Sequence, residues 1–169
     1  MKSKFPLMLF FGAMFFVDCH NFSTGPSDSP VIYFNSFESR ADTSGWIGVG
    51  SQALVADAPP GGGVQSVRVS GGCIMPTACM RLAIQGRAKA VVIECWGKSL
   101  SGGGSVELYR TSDRYEGIQI GITDTLWRFY QSNTRLACSS IDTLELDLNS
   151  GGIVYGAMLV DQIQIRSVE

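Results

Sequence analysis

Apolar and polar residues alternate in short runs from Val31 to the C-terminal end of the chain. In the run 143–148, leucine occupies every second position and polar residues lie between the leucines. Because successive side chains of a β-strand point to opposite faces, this run has one apolar and one polar face. The runs 90–97 and 105–111 show the same pattern. The alternation therefore predicts stacked antiparallel sheets whose apolar faces meet in a common core.

Ten such runs predict ten strands, and glycine-rich or proline-rich turns separate them. The predicted strands are Val31–Asn35, 52–56, 64–70, 79–85, 90–97, 105–111, 117–122, 126–132, 141–148 and 157–166. Glycine clusters such as Gly102-Gly103-Gly104 are typical of strand ends, where glycine adopts a positive φ at low cost. We find no helical period, internal repeat or second domain. The pattern predicts one all-β domain over residues 31–169, built as an antiparallel two-sheet sandwich or barrel.

The N-terminal residues predict export. Lys2 and Lys4 precede an uncharged apolar run, 5–17, which is short for a membrane span, so residues 1–18 are interpreted as a signal peptide. Cys19 follows at the place where bacterial lipoproteins carry their acylated cysteine, although Asp18 stands where a small residue is usual. The alternative is a signal that is uncleaved or cleaved elsewhere, with an incidental cysteine.

Residues 19–30 are rich in Ser, Thr, Gly, Pro and Asp, which predicts a flexible tether between the anchor and the domain. We therefore expect a membrane-anchored lipoprotein of the cell envelope, located in the periplasm or on the cell surface.

Charge and residue content exclude several classes of function. Without residues 1–18 the chain keeps 11 basic and 14 acidic residues, a net charge of −3, and no Lys/Arg cluster, which argues against a nucleic-acid partner. The single histidine, His20, lies in the tether, so no Ser-His-Asp or Cys-His arrangement is expected inside the domain. Paired carboxylates of a glycosidase could come from Glu94, Glu107, Glu145 or Asp147, but about 140 residues leave little room for a deep cleft. Binding is predicted rather than catalysis.

Four cysteines remain after Cys19, and an even number in an exported domain indicates disulfides with three alternative pairings. We favour Cys73–Cys79, which would close a turn that contains Pro76. Cys95 and Cys138 would then pair across strands or remain as small buried apolar side chains. A zinc site is the competing interpretation, but the spacing is unlike that of zinc knuckles.

Five short motifs follow in the same order as in a known class of proteins. They are Asn35-Ser36-Phe37-Glu38 with Gly45-Trp46, then Gln65-Ser66-Val67-Arg68-Val69, Glu94-Cys95-Trp96-Gly97-Lys98, Trp127-Arg128-Phe129-Tyr130 and Val160-Asp161-Gln162-Ile163. Over residues 31–169 the chain resembles carbohydrate-binding modules with the galactose-binding-like jelly roll. The resemblance implies a jelly-roll β-sandwich and non-catalytic glycan recognition. The alternative is a structural or adhesive envelope domain that contacts protein partners, because the same fold serves many functions.

The resemblance also implies a structural calcium ion near the first and last strands. Glu38 and Asp161 would be its side-chain ligands, helped by backbone carbonyls of the loop before Val67. Gln162 departs from the family, in which a second acidic residue is common at this position. The alternative is that Glu38 caps a turn and Asp161 makes a hydrogen bond at a strand end.

A sugar site of this kind needs aromatic rings that stack on C–H groups and polar groups that bond hydroxyls. The predicted ligand-binding residues are Glu94, Trp96, Glu107, Tyr109, Tyr115, Arg128 and Tyr130. Trp46 and Trp127 are expected in the core. For Trp96 and Tyr109, alternation predicts the polar face of a strand and leaves open whether that face is exposed or covered.

Overall fold

The computed structural model describes residues 30–49, 53–71, 77–84, 88–139, 141–151 and 156–168. The predicted signal peptide, Cys19, all of the tether but Pro30, and Cys73 lie outside these residues. Within the described ranges no helix is long and apolar enough to cross a membrane. One short 3₁₀ helix spans Arg40–Thr43.

The described residues form eleven strands. These are β1 (Val31–Asn35), β2 (Leu54–Val55), β3 (Ser66–Gly71), β4 (Ala78–Ala83), β5 (Ala90–Ser101), β6 (Gly104–Arg110), β7 (Asp113–Ile122), β8 (Arg128–Gln131), β9 (Leu136–Ala137), β10 (Thr143–Ser150) and β11 (Gly156–Val168). All ten predicted runs contain a strand, and β1 has the predicted bounds. The missed strand, β9, has two residues and is too short to show an alternation.

The strands build two antiparallel sheets, which confirms the predicted all-β sandwich. A seven-stranded sheet has the order β2-β3-β11-β5-β8, with β1 also paired to β11 and β9 to β5. A four-stranded sheet has the order β4-β10-β6-β7. Apart from the consecutive pairs β2-β3 and β6-β7, strands that are neighbours on these two paths are distant in sequence, as in a jelly roll.

The apolar faces of the two sheets pack on each other. The seven-stranded sheet contributes Val67, Val69, Val91, Ile93, Cys95, Met158, Val160, Ile163 and Ile165, and the four-stranded sheet contributes Val106, Leu108, Ile118, Ile120, Ile122, Leu144, Leu146 and Leu148. These positions alternate along each strand except between Val160 and Ile163 of β11, where the register shifts, so the apolar pattern of the sequence is largely the pattern of the core.

The motif that opens the domain has a structural explanation. Asn35 Oδ1 accepts a hydrogen bond from Phe37 N at 2.9 Å, and Asn35 Nδ2 donates to Asp42 O at 2.7 Å. This clamp directs Phe37 into the core, where its ring lies 5.7 Å from that of Trp46. The core position expected for Trp46 is confirmed. Trp127 is instead half-buried, and its indole N–H donates to Asp57 Oδ1 at 2.8 Å.

The described cysteines are free thiols. Cys95 points into the core from β5, Cys138 follows β9, and the disulfide considered between them is not formed. Burial raises the pKa of Cys95 to about 12 and, first among its causes, that of Cys138 to about 11. Cys95 is therefore a small buried side chain, as in the alternative to pairing, and Cys138 is half-buried against the core. Cys79 is a free, half-buried thiol, and its predicted partner Cys73 lies outside the described residues.

Candidate functional site

The predicted ligand-binding residues are divided between the two sheets. Glu107, Tyr109 and Tyr115 lie in β6 and β7 of the four-stranded sheet, whereas Glu94, Trp96, Arg128 and Tyr130 lie in β5 and β8 of the seven-stranded sheet. Tyr130 lies opposite Cys95 and packs against the core, with its hydroxyl donating to Asp124 Oδ2 at 2.9 Å. Arg128 is exposed at one end of β8. The seven residues thus do not form one surface.

The outward face of the seven-stranded sheet is occupied by contacts within the protein. Arg166 Nε donates to Glu94 Oε2 at 2.8 Å, and the two side chains are only 9% and 1% exposed. Gln131 Nε2 donates to Glu94 Oε1 at 3.1 Å, and Trp96 packs edge-to-face on Phe129 with 5.9 Å between ring centroids. Because these groups bond to each other, they offer little to a ligand.

The outward side chains of the four-stranded sheet form a second surface, here called the four-stranded face. It comprises Cys79, Arg81, Ser105, Glu107, Tyr109, Gly117, Gln119, Gly121, Thr143, Glu145, Asp147 and Asn149. Strand register aligns Arg81, Glu145 and Tyr109 in one row across β4, β10 and β6. The next row holds Cys79, Asp147 and Glu107. Cross-strand neighbours of this kind lie close enough for side-chain contact.

Tyr109 and Glu145 are the centre of this face. The Tyr109 hydroxyl lies 2.6 Å from Glu145 Oε1 and 2.6 Å from Asp147 Oδ2. Arg114, from the start of β7, donates to Glu145 Oε1 at 2.6 Å and places its guanidinium 4.6 Å from the Tyr109 ring centroid. Arg81 Nε donates to Glu145 Oε2 at 2.8 Å. Two arginines are therefore fixed by one buried carboxylate.

Exposure differs sharply within this network. The Arg81 and Arg114 side chains are 71% and 59% exposed, whereas that of Glu145 is 7% exposed. The arginines thus keep N–H donors in solvent while the buried Glu145 carboxylate fixes their positions. This arrangement suits recognition of an oxygen-rich ligand.

Burial shifts the ionisation of the acidic groups in different directions. Burial first, and then hydrogen bonding to Asp147 and Glu145, raises the pKa of Tyr109. Burial also raises the pKa of Asp147. Burial opposes ionisation of Glu145 as well, but hydrogen bonds from Tyr109 and Arg81 and the charge of Arg114 outweigh it and lower its pKa. Glu145 is the firmly ionised anchor of the network.

Beside the network, the outward side of β7 forms a strip in which two of three successive positions are glycine. Gly117 and Gly121 flank Gln119 on the outward side, and a Cβ built at Gly121 would meet no atom within 4 Å. Tyr115, earlier in β7, is fully exposed. The strip borders Tyr109 and Glu107 of β6 and leaves open space at that edge of the four-stranded face.

A separate set of oxygen atoms lies where β11 meets the loop before β3. Asp161 is fully buried, and its Oδ2 has no hydrogen-bond partner among the described residues. Burial, and to a lesser degree the charge of Glu38, raises the pKa of Asp161 to about 7. Val64 N donates to Glu38 Oε2 at 3.0 Å, and Gln162 N donates to Asp161 Oδ1 at 2.7 Å. A turn-capping role for Glu38 and a strand-end hydrogen bond of Asp161 therefore account for these two contacts. They do not explain the unpartnered Asp161 Oδ2.

The backbone around these carboxylates is shaped to admit them. A Cβ on Gly63, whose φ is +88°, would collide with the Glu38 carboxylate, and one on Gly62 would lie 2.9 Å from Asp161 Oδ2. Phe37 and Gln162, which adjoin the two acids, adopt positive φ values of 53° and 47°. Non-glycine residues rarely adopt this conformation, and such strain concentrates at ligand sites. The residues present fit a hard cation with oxygen ligands.

Sequence reasoning did not assign the residues at the centre of the four-stranded face, apart from Tyr109 and Glu107. Glu145 and Asp147 were considered only as a catalytic pair, and Arg81, Arg114 and Asn149 were not singled out. The alternation in β4 and β10 shows that these side chains share the polar faces of their strands. It does not show that β10 lies between β4 and β6, and that pairing assembles the network.

No protein-family model matches the chain, and no curated protein matches it. Solved structures resemble its fold. The CBM22-1 xylan-binding domain of Paenibacillus barcinonensis Xyn10C superposes with a TM-score of 0.57 at 20% identity, covering 86% of this chain and 100% of that domain. The C-terminal family 22 carbohydrate-binding module of Clostridium thermocellum Xyn10B gives 0.55 at 14% identity, covering 85% and 96%. The chain therefore has the β-sandwich fold of carbohydrate-binding modules.

Proposed function

We propose that this protein is a non-catalytic glycan-binding domain and that the four-stranded face is its binding surface. The observation that carries the proposal is the pair of exposed arginines, Arg81 and Arg114, held by buried Glu145 beside Tyr109. Sugar hydroxyls need donors and acceptors at fixed positions, because ordering a free side chain costs binding energy. This network is already ordered.

The chemistry of the face favours a sugar over a protein partner. Among the described residues, its outward side chains are mainly carboxylates, guanidinium groups, amides, hydroxyls and a tyrosine. Exposed Ile47, which bridges to Cys79 at the edge, is a single aliphatic side chain and not the patch that marks a protein interface. The similar Paenibacillus barcinonensis domain is described as xylan-binding, and a Clostridium thermocellum structure with a TM-score of 0.54, 13% identity and coverage of 83% and 29% was solved with xylohexaose. Xylan is therefore the first polysaccharide to test.

The experiment measures affinity for xylan and a panel of other polysaccharides by affinity electrophoresis and calorimetry. Glu145→Gln keeps the side-chain volume but removes the charge that holds both arginines, and it should weaken binding about tenfold or more. Arg81→Ala should weaken it in the same direction. The matched control is Trp96→Ala on the seven-stranded sheet, which should change affinity less than about twofold.

Two outcomes would overturn the proposal. Absence of binding across a broad panel would reject glycan recognition. Loss of binding in Trp96→Ala with no change in Glu145→Gln would move the site to the other sheet.

We further propose that Glu38 and Asp161 bind a structural calcium ion, together with oxygen atoms of the loop before β3. The support is the orphaned, fully buried Asp161 Oδ2 and the glycines that make room for both carboxylates. A cation there would balance two carboxylates that lie close enough for the charge of Glu38 to raise the pKa of Asp161. Its effect would be to hold β11 and the loop together.

Display at the cell envelope is the remaining part of the proposal, and it depends on the sequence of residues 1–30. A lipid on Cys19 would anchor the domain, and the tether would let it reach a polymer. Cys19→Ala should abolish acyl labelling and release the protein from the membrane fraction. Membrane association that persists in this variant would show that residues 5–17 provide the anchor.

A further inference from the structure

Three groups that can ligate a metal ion meet on the four-stranded face. Ligand atoms of Cys79, Glu145 and Asp147 all lie within 4.8 Å of one another. Cys79 and Asp147 are direct cross-strand partners of β4 and β10, and Glu145 is two residues before Asp147 on the same side of the strand. The positions are thus fixed by sheet register rather than by a loop.

Independently of this cluster of ligand atoms, the Asp147 carboxylate has an oxygen that lacks a hydrogen-bond partner among the described residues. Asp147 is 4% exposed, and its Oδ1 has no hydrogen-bond partner within the part of the chain that the structure describes. Asn149, the next outward residue of β10, has a second unpartnered oxygen, Oδ1, and is 3% exposed. Leaving such an oxygen buried and unbonded costs free energy, so a missing partner is expected.

The neighbouring arginines do not supply that partner. Arg81 and Arg114 both bond to Glu145, at 2.8 and 2.6 Å, whereas Arg114 Nη2 is 3.8 Å from Asp147 Oδ2. The Tyr109 hydroxyl touches Glu145 and Asp147 at 2.6 Å each but has one proton to donate. The charge of Glu145 is thus balanced by two arginines in direct contact, whereas that of Asp147 is not.

We propose that Cys79, Asp147 and Glu145 bind a divalent transition-metal ion of the zinc class. A thiolate with two carboxylates selects a borderline-soft ion such as Zn²⁺ or Co²⁺ over Ca²⁺ or Mg²⁺, which prefer oxygen ligands alone. Cys79 is a free thiol and Asp147 has one carboxylate oxygen without a hydrogen-bond partner among the described residues, so both have donor capacity to spare. Glu145 completes the protein set, and a fourth position remains for water.

Binding exchanges a proton for the metal. A cysteine binds a metal ion as the thiolate, so Cys79 must lose its thiol proton when the ion binds. Coordination forms the metal–sulfur bond and releases that proton to solvent. Affinity should therefore rise with pH.

The test uses Co²⁺ as the probe, because a thiolate bound to Co²⁺ gives a charge-transfer absorption that carboxylate-bound Co²⁺ lacks. Wild-type protein, titrated under reducing conditions, should bind one equivalent with this band, and Zn²⁺ should displace it. Cys79→Ser should abolish the band, and Asp147→Asn should weaken affinity by about tenfold or more. The control Cys138→Ser removes a half-buried thiol elsewhere and should leave the titration unchanged.

The proposal is overturned if wild type shows no band or if Cys79→Ser retains it. Melting curves identify any variant that fails to fold. If Cys79→Ser is such a variant, the Co²⁺ affinity of Asp147→Asn, compared with that of Cys138→Ser, decides whether the site exists. The readout is independent of polysaccharide, so Co²⁺ binding without glycan binding would reject the proposed function and keep this site.

Discussion

Each sheet carries an acid–arginine pair on its outward face, and the two pairs are built differently. On the seven-stranded sheet, Glu94 and Arg166 are both buried, with side-chain exposures of 1% and 9%. On the four-stranded sheet, Glu145 is 7% exposed but its partner Arg81 is 71% exposed. Both ion pairs have the same N···O distance, 2.8 Å. The distance therefore does not distinguish them, and the burial of the arginine does.

Under the proposed function, this difference separates a structural pair from a ligand-binding one. Where both partners are buried, each satisfies the other, and removing one leaves an uncompensated charge in the protein. Where the arginine is exposed, the carboxylate fixes its position while its other donors face water. The first arrangement holds a sheet together, and the second presents a recognition group.

The largest effect should come from breaking the buried pair. Arg166→Leu leaves the Glu94 carboxylate buried without its arginine. It should lower the free energy of unfolding by about 3–5 kcal/mol, measured by urea denaturation. The double variant Glu94→Leu/Arg166→Leu should lose less, because no unpaired charge remains. Arg81→Leu should cause a much smaller loss of stability. Equal losses in Arg166→Leu and Arg81→Leu would show that the two pairs are equivalent.

The next effect tests whether Asp161, buried like Glu94, has a cation as its partner in place of an arginine. Calcium at about a hundred times its Kd should stabilise the protein by about 2.7 kcal/mol, because only the folded state assembles the ligands. Melting curves with calcium and with chelator measure this shift. Asp161→Asn and Glu38→Gln should abolish the response to calcium. An equal response in both variants would locate calcium elsewhere.

A smaller effect is expected when a large side chain is added to the four-stranded face instead of a contact being removed. Gly121 on β7 is in open space, so Gly121→Leu should fold normally but obstruct the strip of β7 that borders β6 on the four-stranded face. Polysaccharide affinity should fall at least tenfold, or about 1.4 kcal/mol, while the melting temperature stays near that of wild type. Unchanged affinity in a folded Gly121→Leu protein would place the ligand away from β7.

The smallest effect concerns an exposed pair on the seven-stranded side. The Lys98 ammonium lies 2.7 Å from Asp57 Oδ2, and this hydrogen bond lowers the pKa of Asp57. A lowered pKa in the folded state stabilises it above the ordinary pKa, and that contribution is lost as the pH falls through the folded-state value. The Asp57 side chain is 40% exposed, so solvent limits the gain to about 0.5 kcal/mol.

Lys98→Met should therefore be slightly less stable than wild type at pH 6, and the difference should disappear as the pH falls below about 4. Urea denaturation over this pH range is the measurement. A difference that persists at pH 2 would show that Lys98 acts through packing of its aliphatic stem.

The all-β sandwich and nearly all of its strands were determined by the sequence alone. Alternating leucines at 144, 146 and 148 show which face of β10 is buried, because the period of side chains along a strand is fixed at two. The same rule identified the core positions of β5 and β6. It could not identify β9, whose two residues make up a single period and so cannot show an alternation.

Only the tertiary structure decided which polar residues act together. Glu94 and Tyr109 both alternate with apolar residues and look equivalent in sequence, yet β5 and β6 belong to different sheets and their outward faces are turned away from each other. Arg81 reaches Glu145 across 64 positions of sequence because β4 pairs with β10. Local periodicity fixes the face on which a side chain lies, whereas strand pairing between distant segments fixes its neighbours, and the chemistry of a site depends on the neighbours.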